Sequence, residues 1–209
     1  AARWELALGV LPAVPPRGPG RRAPAFNAAI TACERAARWD RALALLASLG
    51  GLRVLPDVVT FNATISACEK GHRWQHVGGL LARMRAERVR PSVVTYAAAI
   101  SASEKGARWE QALALLAALR RSGGPLGVVP LSAAVSALGR GQQWERALAT
   151  LRGMQRGGPR PNVITFNAAM SACAGGRRWR RRLRARPLRR RGCGGQGGWR
   201  AREHVAGAG

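Results

Sequence analysis

Between Val58 and Ser92 the apolar positions come in two runs. Phe61, Ile65 and Cys68 follow at intervals of four and three, which lays them along one side of a helix. Val77, Leu80, Leu81 and Met84 keep the same kind of spacing further on. Gly71 stands between the runs, and Arg90-Pro91-Ser92 follows the second. Glycine and proline end helices, so the pattern predicts two short helices and a tight turn. The first helix is expected over residues 60–70, capped by Thr60 or Asn62 and stopped by Gly71. The second begins near Trp74.

This pair of runs recurs along the chain. Trp4, Trp39, Trp74, Trp109, Trp144 and Trp179 fall at a constant spacing of 35. Before five of them stands one phrase in variants: FNAAITACERAARW, FNATISACEKGHRW, YAAAISASEKGARW, LSAAVSALGRGQQW and FNAAMSACAGGRRW. A unit of this size cannot bury a core alone, so neighbouring units must stack into one continuous core. The expected architecture is all-α, with full units at 23–57, 58–92, 93–127 and 128–162 and a partial fifth at 163–179. Residues 1–22 read as the end of a truncated unit, broken by PAVPPRGPG.

The copies differ in quality. Gly78 and Gly79 fall inside a predicted helix, at about 1 kcal/mol each relative to Ala. RRSGGPLG closes the third unit without the Pro-Asp or Pro-Ser of its neighbours, and a longer, looser turn is expected there. Beyond Trp179 the apolar period stops, and 180–209 reads as an Arg/Gly-rich disordered tail. A reading frame or exon ending near Trp179 would account for it. The chain opens without Met in mid-unit, which reads as a fragment lacking any targeting peptide.

Charge narrows the partners. Lys and Arg total 35 against 10 Asp and Glu, a formal net charge of +25. Such an excess suits a polyanion, nucleic acid or an acidic membrane surface. Part of it reflects a coding bias toward Ala, Arg and Gly, concentrated in the tail. No apolar run is long enough to span a membrane. Cys33, Cys68 and Cys173 share one place in their units, where Ser103 and Leu138 stand in the others. That exchange implies a small, half-buried packing position. Sulfurs one unit apart are too distant for a disulfide or a shared metal.

The period, the T-[FY]-N opening, the basic-Gly helix end and the Pro-Asp close together resemble a pentatricopeptide repeat. The resemblance covers residues 23–179. The tetratricopeptide repeat has a 34-residue period and its own Trp pattern, neither of which is present. The Trp heading the second helix departs from the commonest form and is similar to a variety found in algal proteins. The resemblance implies an α-solenoid, a right-handed superhelix of helix–turn–helix repeats, that binds single-stranded RNA at one base per repeat. The fifth and last residues of a repeat would meet the base edge. Those pairs are Asn27/Asp57 for uracil, Asn62/Ser92 for cytosine or either pyrimidine, Ala97/Gly127 undefined, and Ser132/Asn162 for adenine. Asn167 opens a fifth pair. Val59, Val94, Val129 and Ile164 would pack on base faces, with Pro24 a weaker match. Arg35, Lys70, Lys105 and Arg140, at the first-helix ends, would line up for phosphates. Chloroplast or mitochondrial RNA processing is the implied setting, in a monomer that meets RNA-processing or editing proteins.

Plainer readings stand beside these. The Trp column heads an apolar face and reads as core. Each Asn near a helix start can be a cap, and the basic column suits helix C-termini. His72 and His76 lack the Glu of an H-E-x-x-H arrangement. No deaminase-like H-x-E with C-x-x-C is present, so neither catalysis, metal nor cofactor is expected. The alternative function is a protein-binding α-solenoid scaffold.

Overall fold

The computed structural model describes residue 5 and residues 19–52 and 54–175. The chain divides into Ala1–Arg177 and Arg178–Gly209. The second unit, with the predicted tail and Trp179, lies outside the described residues, as do residues 1–4 and 6–18 of the predicted stub.

Among the described residues there are nine helices and no strand. They pair in chain order: α1 (Pro19–Arg35) with α2 (Trp39–Gly51), α3 (Val58–Lys70) with α4 (Gln75–Ala86), α5 (Val93–Lys105) with α6 (Trp109–Arg121), and α7 (Val128–Arg140) with α8 (Trp144–Gln155). The last is α9 (Val163–Gly175). The first helix of each pair packs on the first helix of the next, so α1, α3, α5, α7 and α9 form one unbroken row. The second helices lean on this row, and α2, α6 and α8 each touch the first helices on both sides. The molecule is an α-solenoid.

Sequence explains the division of labour. A first helix is covered on several sides, so it is apolar nearly all round. In α7 Pro130, Leu131, Ser132, Ala133, Ala134, Val135, Ala137 and Leu138 are all buried. Alanines dominate because helices in a row must approach closely. The second helices bury one stripe only. In α4 it is Val77, Leu80, Leu81 and Met84, as the spacing predicts. In α6 it is Ala112, Leu115, Leu116 and Leu119, with Trp109 and Leu113 at its margin. The stripe of Phe61, Ile65 and Cys68 is fully buried. Cys33 and Cys68 are buried outright, not half-buried as their exchange with Ser suggests. Ser103 is accommodated because its hydroxyl donates to the Ala99 carbonyl at 2.9 Å.

The helix ends differ from expectation. The N-cap of α3 is Asp57, not Thr60 or Asn62. Thr60 N–H donates to Asp57 Oδ1 at 2.8 Å, and Asp57 N–H donates back to the Thr60 hydroxyl at 3.2 Å. Ser92 and Thr95 form the same reciprocal box on α5. Gly127 leaves α7 without a side-chain cap. There Pro130 falls in the first helical turn, where its missing N–H costs least. Helix α1 begins at Pro19, ahead of Ala23.

Gly71 ends α3, yet its φ is −79°, and His72 beyond it takes the left-handed conformation at φ 57°. Ala37, Ala107 and Gln142 do likewise after α1, α5 and α7. The glycine answers to a neighbour instead. A Cβ on Gly71 would overlap the indole of Trp39, and Gly106 and Gly141 face Trp74 and Trp109 in the same way. Each tryptophan therefore lies on the helix end of the following pair. Arg73 covers Trp39 at 4.7 Å, Arg108 covers Trp74 at 4.9 Å and Arg146 covers Trp109 at 4.7 Å. These indoles are half-buried at the seams between pairs, not deep in the core.

The loop at 122–127 is no longer than its counterpart at 87–92. Gly123, at φ 72°, takes the left-handed turn that Arg88 takes at φ 57°, so the register survives without a Pro-Asp or Pro-Ser close. Gly78 and Gly79 are exposed within α4, and the helix holds because its inner stripe is intact.

Candidate nucleic-acid interface

Because the first helices stack in register, side chains at one position of successive pairs fall in a row. Asn27 lies in the second turn of the helical register that starts at Ala23, and Asp57 caps the next first helix. Their side chains meet: Asn27 Nδ2 donates to Asp57 Oδ1 at 3.3 Å and Oδ2 at 3.2 Å. Asn62 Nδ2 reaches Ser92 Oγ at 3.4 Å in the equivalent place. Each Asn carbonyl oxygen accepts from the Thr that follows its partner. Thr60 Oγ1 donates to Asn27 Oδ1 at 2.6 Å, and Thr95 Oγ1 to Asn62 Oδ1 at 2.5 Å.

Burial alone would raise the Asp57 pKa. Bonds from the Thr60 N–H, the Thr60 hydroxyl and the Asn27 amide outweigh it and hold the carboxyl below its ordinary value. Asp57 is thus a carboxylate that only accepts, whereas Ser92 carries a proton to give.

The other two junctions are built differently. Ala97 and Gly127 offer no polar side chain, and Pro130 stands where Thr60 and Thr95 stand elsewhere. Ser132 is buried, and its hydroxyl donates to the Val129 carbonyl at 2.9 Å. Asn162 instead accepts from the Thr165 N–H at 2.9 Å and the Thr165 hydroxyl at 2.7 Å. No hydrogen bond joins Ser132 to Asn162 among the described residues. Asn167 is exposed on α9.

Beside the polar row runs an apolar one. Val59, Val94, Val129 and Ile164 are 56%, 61%, 63% and 64% exposed, the first three on helices whose other apolar residues are largely covered, whereas on α9 Val163, Phe166 and Met170 are exposed as well. Pro24 is exposed at the same register position.

The basic row is tied to acids. Lys70 pairs with Glu34 at 2.9 Å, Lys105 with Glu69 at 3.2 Å and Arg140 with Glu104 at 3.5 Å. Each pair joins consecutive first helices, and Arg35 opens the row. The ladder stops where Gly139 replaces the acid. Sequence reasoning read the cations and overlooked Glu34, Glu69 and Glu104, each placed directly before a row cation. The adjacent Glu-Arg and Glu-Lys pairs, repeated at the period, were the available signal. Thr60 was likewise read only as a cap, and Thr95 was not singled out. Among the described residues no cluster of three or more His, Cys, Asp or Glu could hold a metal ion. No described helix is long and apolar enough to cross a membrane.

A family model for the pentatricopeptide repeat domain matches residues 54–105 and 127–176. Among solved structures, the chain is similar to the pentatricopeptide repeat protein PPR10 in complex with an 18-nt psaJ RNA element. The identity is 26% and the TM-score 0.67, over 84% of this chain and 26% of that one. The structure of PPR10 from maize gives 18% identity and a TM-score of 0.64, over 78% and 24%. The PPR domain of Arabidopsis thaliana protein-only RNase P 1, in complex with tRNA, shares the fold at 14% identity and a TM-score of 0.61, over 77% and 89%. The chain spans about a quarter of the PPR10 length. No curated protein matches its sequence.

Proposed function

This chain is a pentatricopeptide repeat protein, and from that premise we propose that it binds single-stranded RNA at one base per repeat. The repeat units are taken as 23–57, 58–92, 93–127 and 128–162, with 163–179 opening a fifth. The observation that carries the reading is the joined pair at two junctions. Asn27–Asp57 and Asn62–Ser92 each sit beside an exposed valine of the next helix start.

The chemistry of the pairs favours different bases. Uracil bears a hydrogen at N3 and cytosine a lone pair there. A carboxylate at Asp57 accepts from the first, and the Ser92 hydroxyl donates to the second. An Asn amide N–H suits the carbonyl oxygen that both pyrimidines carry. Ala97 and Gly127 select nothing, and Asn162, with Ser132 turned away, supplies the adenine contact. Val59, Val94, Val129 and Ile164 pack against base faces. Arg35, Lys70, Lys105 and Arg140 meet phosphates, the last three by exchanging Glu34, Glu69 and Glu104 for RNA oxygens. The role is binding rather than catalysis, in organellar RNA processing, stability, editing or translation, in a chloroplast or mitochondrion.

Base contacts of this kind contribute about 1–3 kcal/mol each, offset by the several kcal/mol lost on association. Four positions then give modest affinity. The test is titration of oligonucleotides carrying U-C-N-A against scrambled ones. Tighter binding of the matched strand is expected. Equal binding abolished by salt would show charge alone, and no binding would favour a protein scaffold.

A further inference from the structure

We infer that Thr60 and Thr95 are positioning residues for base discrimination: the third residue of one repeat turns the amide of the fifth residue in the repeat before it. This rests on the RNA reading above.

Donors and acceptors decide which way the amide faces. The Asn27 side chain can face its pocket in two ways, differing by exchange of oxygen and nitrogen. The carboxylate of Asp57 lies 3.2 Å from one end and the Thr60 hydroxyl 2.6 Å from the other. The hydroxyl accepts from the Asp57 N–H at 3.2 Å, and its one proton is shared between Asn27 Oδ1 at 2.6 Å and Asp57 Oδ1 at 2.8 Å. The amide oxygen is the nearer of the two acceptors, and one amide hydrogen goes to the carboxylate. The second amide hydrogen is left to meet a base. The flipped arrangement would set the amide oxygen against a carboxylate. Thr95 holds Asn62 by the same bond at 2.5 Å. There the partner is Ser92, which can donate or accept, so charge does not choose the orientation and the threonine matters more.

The chain carries its own comparison. Where the fifth residue is Ala97 there is no amide to hold, and the position of Thr60 is taken by Pro130, which has no donor. Where it is Ser132, Thr165 gives its hydroxyl hydrogen to Asn162 instead, at 2.7 Å. Thr165 thus serves its cap alone, whereas Thr60 and Thr95 each serve a cap and also reach the amide of the repeat before.

The experiment measures binding of the full chain to paired oligonucleotides that differ by uracil or cytosine at the first or the second base. Thr60→Val removes the donor with little change of shape, and Thr60→Ser restores it. The expected result is that Thr60→Val lowers the uracil-to-cytosine ratio at the first base by about five-fold, the size of one net hydrogen bond. The ratio at the second base stays at its wild-type value, and Thr60→Ser keeps both. Loss of the cap by itself would lower both ratios or neither. Thr95→Val gives the mirror result at the second base and serves if Thr60→Val does not fold. An unchanged first-base ratio in Thr60→Val, with Asn27→Ala losing it, overturns this inference and leaves the RNA reading intact. No ranking by the wild type overturns both.

Discussion

Asp57 serves two helices at once. It caps α3 and it holds Asn27 of the pair before. Replacing it with Ala removes a cap, at about 1 kcal/mol, and a drop in melting temperature with loss of the uracil preference is the expected outcome. Its pKa is lowered by folding, so its contribution is full at neutral pH and is lost as pH falls through that lowered value, beneath the ordinary 3.8. The melting-temperature gap between the wild type and Asp57→Ala should therefore be flat around neutrality and close in acid. A gap that closes on the alkaline side would contradict the assignment. The buried cysteines behave in the opposite sense. Burial pushes the Cys68 thiol up to about 11. A thiol reagent at neutral pH should leave Cys68 unmodified until the protein is unfolded.

At the scale of the helix, two glycine substitutions should act with opposite sign. Gly79→Ala adds a Cβ to an exposed helical site with nothing within 4 Å. It should stabilise the fold by roughly 0.5–1 kcal/mol. Gly106→Ala drives a Cβ into Trp74 and should destabilise by about 1–3 kcal/mol. Denaturant midpoints decide between them, and a neutral Gly106→Ala would refute the seam described here. The sequence makes the helices readable because each has its own apolar period, as Phe61, Ile65 and Cys68 show. It hides the seams. The bonds of Asn27 to Asp57 and Thr60 cross 30 and 33 residues, and no local pattern announces them. Gly71 looked like an ordinary helix stop because its true neighbour, Trp39, belongs to the pair before. The cap at Asp57 was missed because Thr60, three residues on, is not the Glu or Gln that usually marks a capping box.

At the scale of the molecule, the rows are the product of the 35-residue period. A unit longer or shorter than its neighbours would take Asn27, Asn62 and Asn167 out of one shared register. The ladder of Glu34–Lys70, Glu69–Lys105 and Glu104–Arg140 stitches consecutive first helices and balances the charge along their ends. Most exposed pairs of this kind contribute less than about 1 kcal/mol, so the ladder aligns the helices more than it stabilises them. It also predicts a gentle salt dependence for the repeats themselves, since phosphates must displace carboxylates. Deleting residues 180–209, which hold much of the arginine, should flatten the salt dependence of RNA binding while leaving the ranking of oligonucleotides unchanged. A changed ranking would mean that those residues take part in selection.

The central claim is that each joined pair selects one base, and exchanging one pair for another tests it most directly. Asp57→Ser converts the first pair into the second while keeping an N-cap of the kind Ser92 already provides. Binding of oligonucleotides with uracil or cytosine at the first base should switch from favouring uracil to favouring cytosine, with the other positions unaltered. Unchanged preference for uracil in the folded variant would contradict the account.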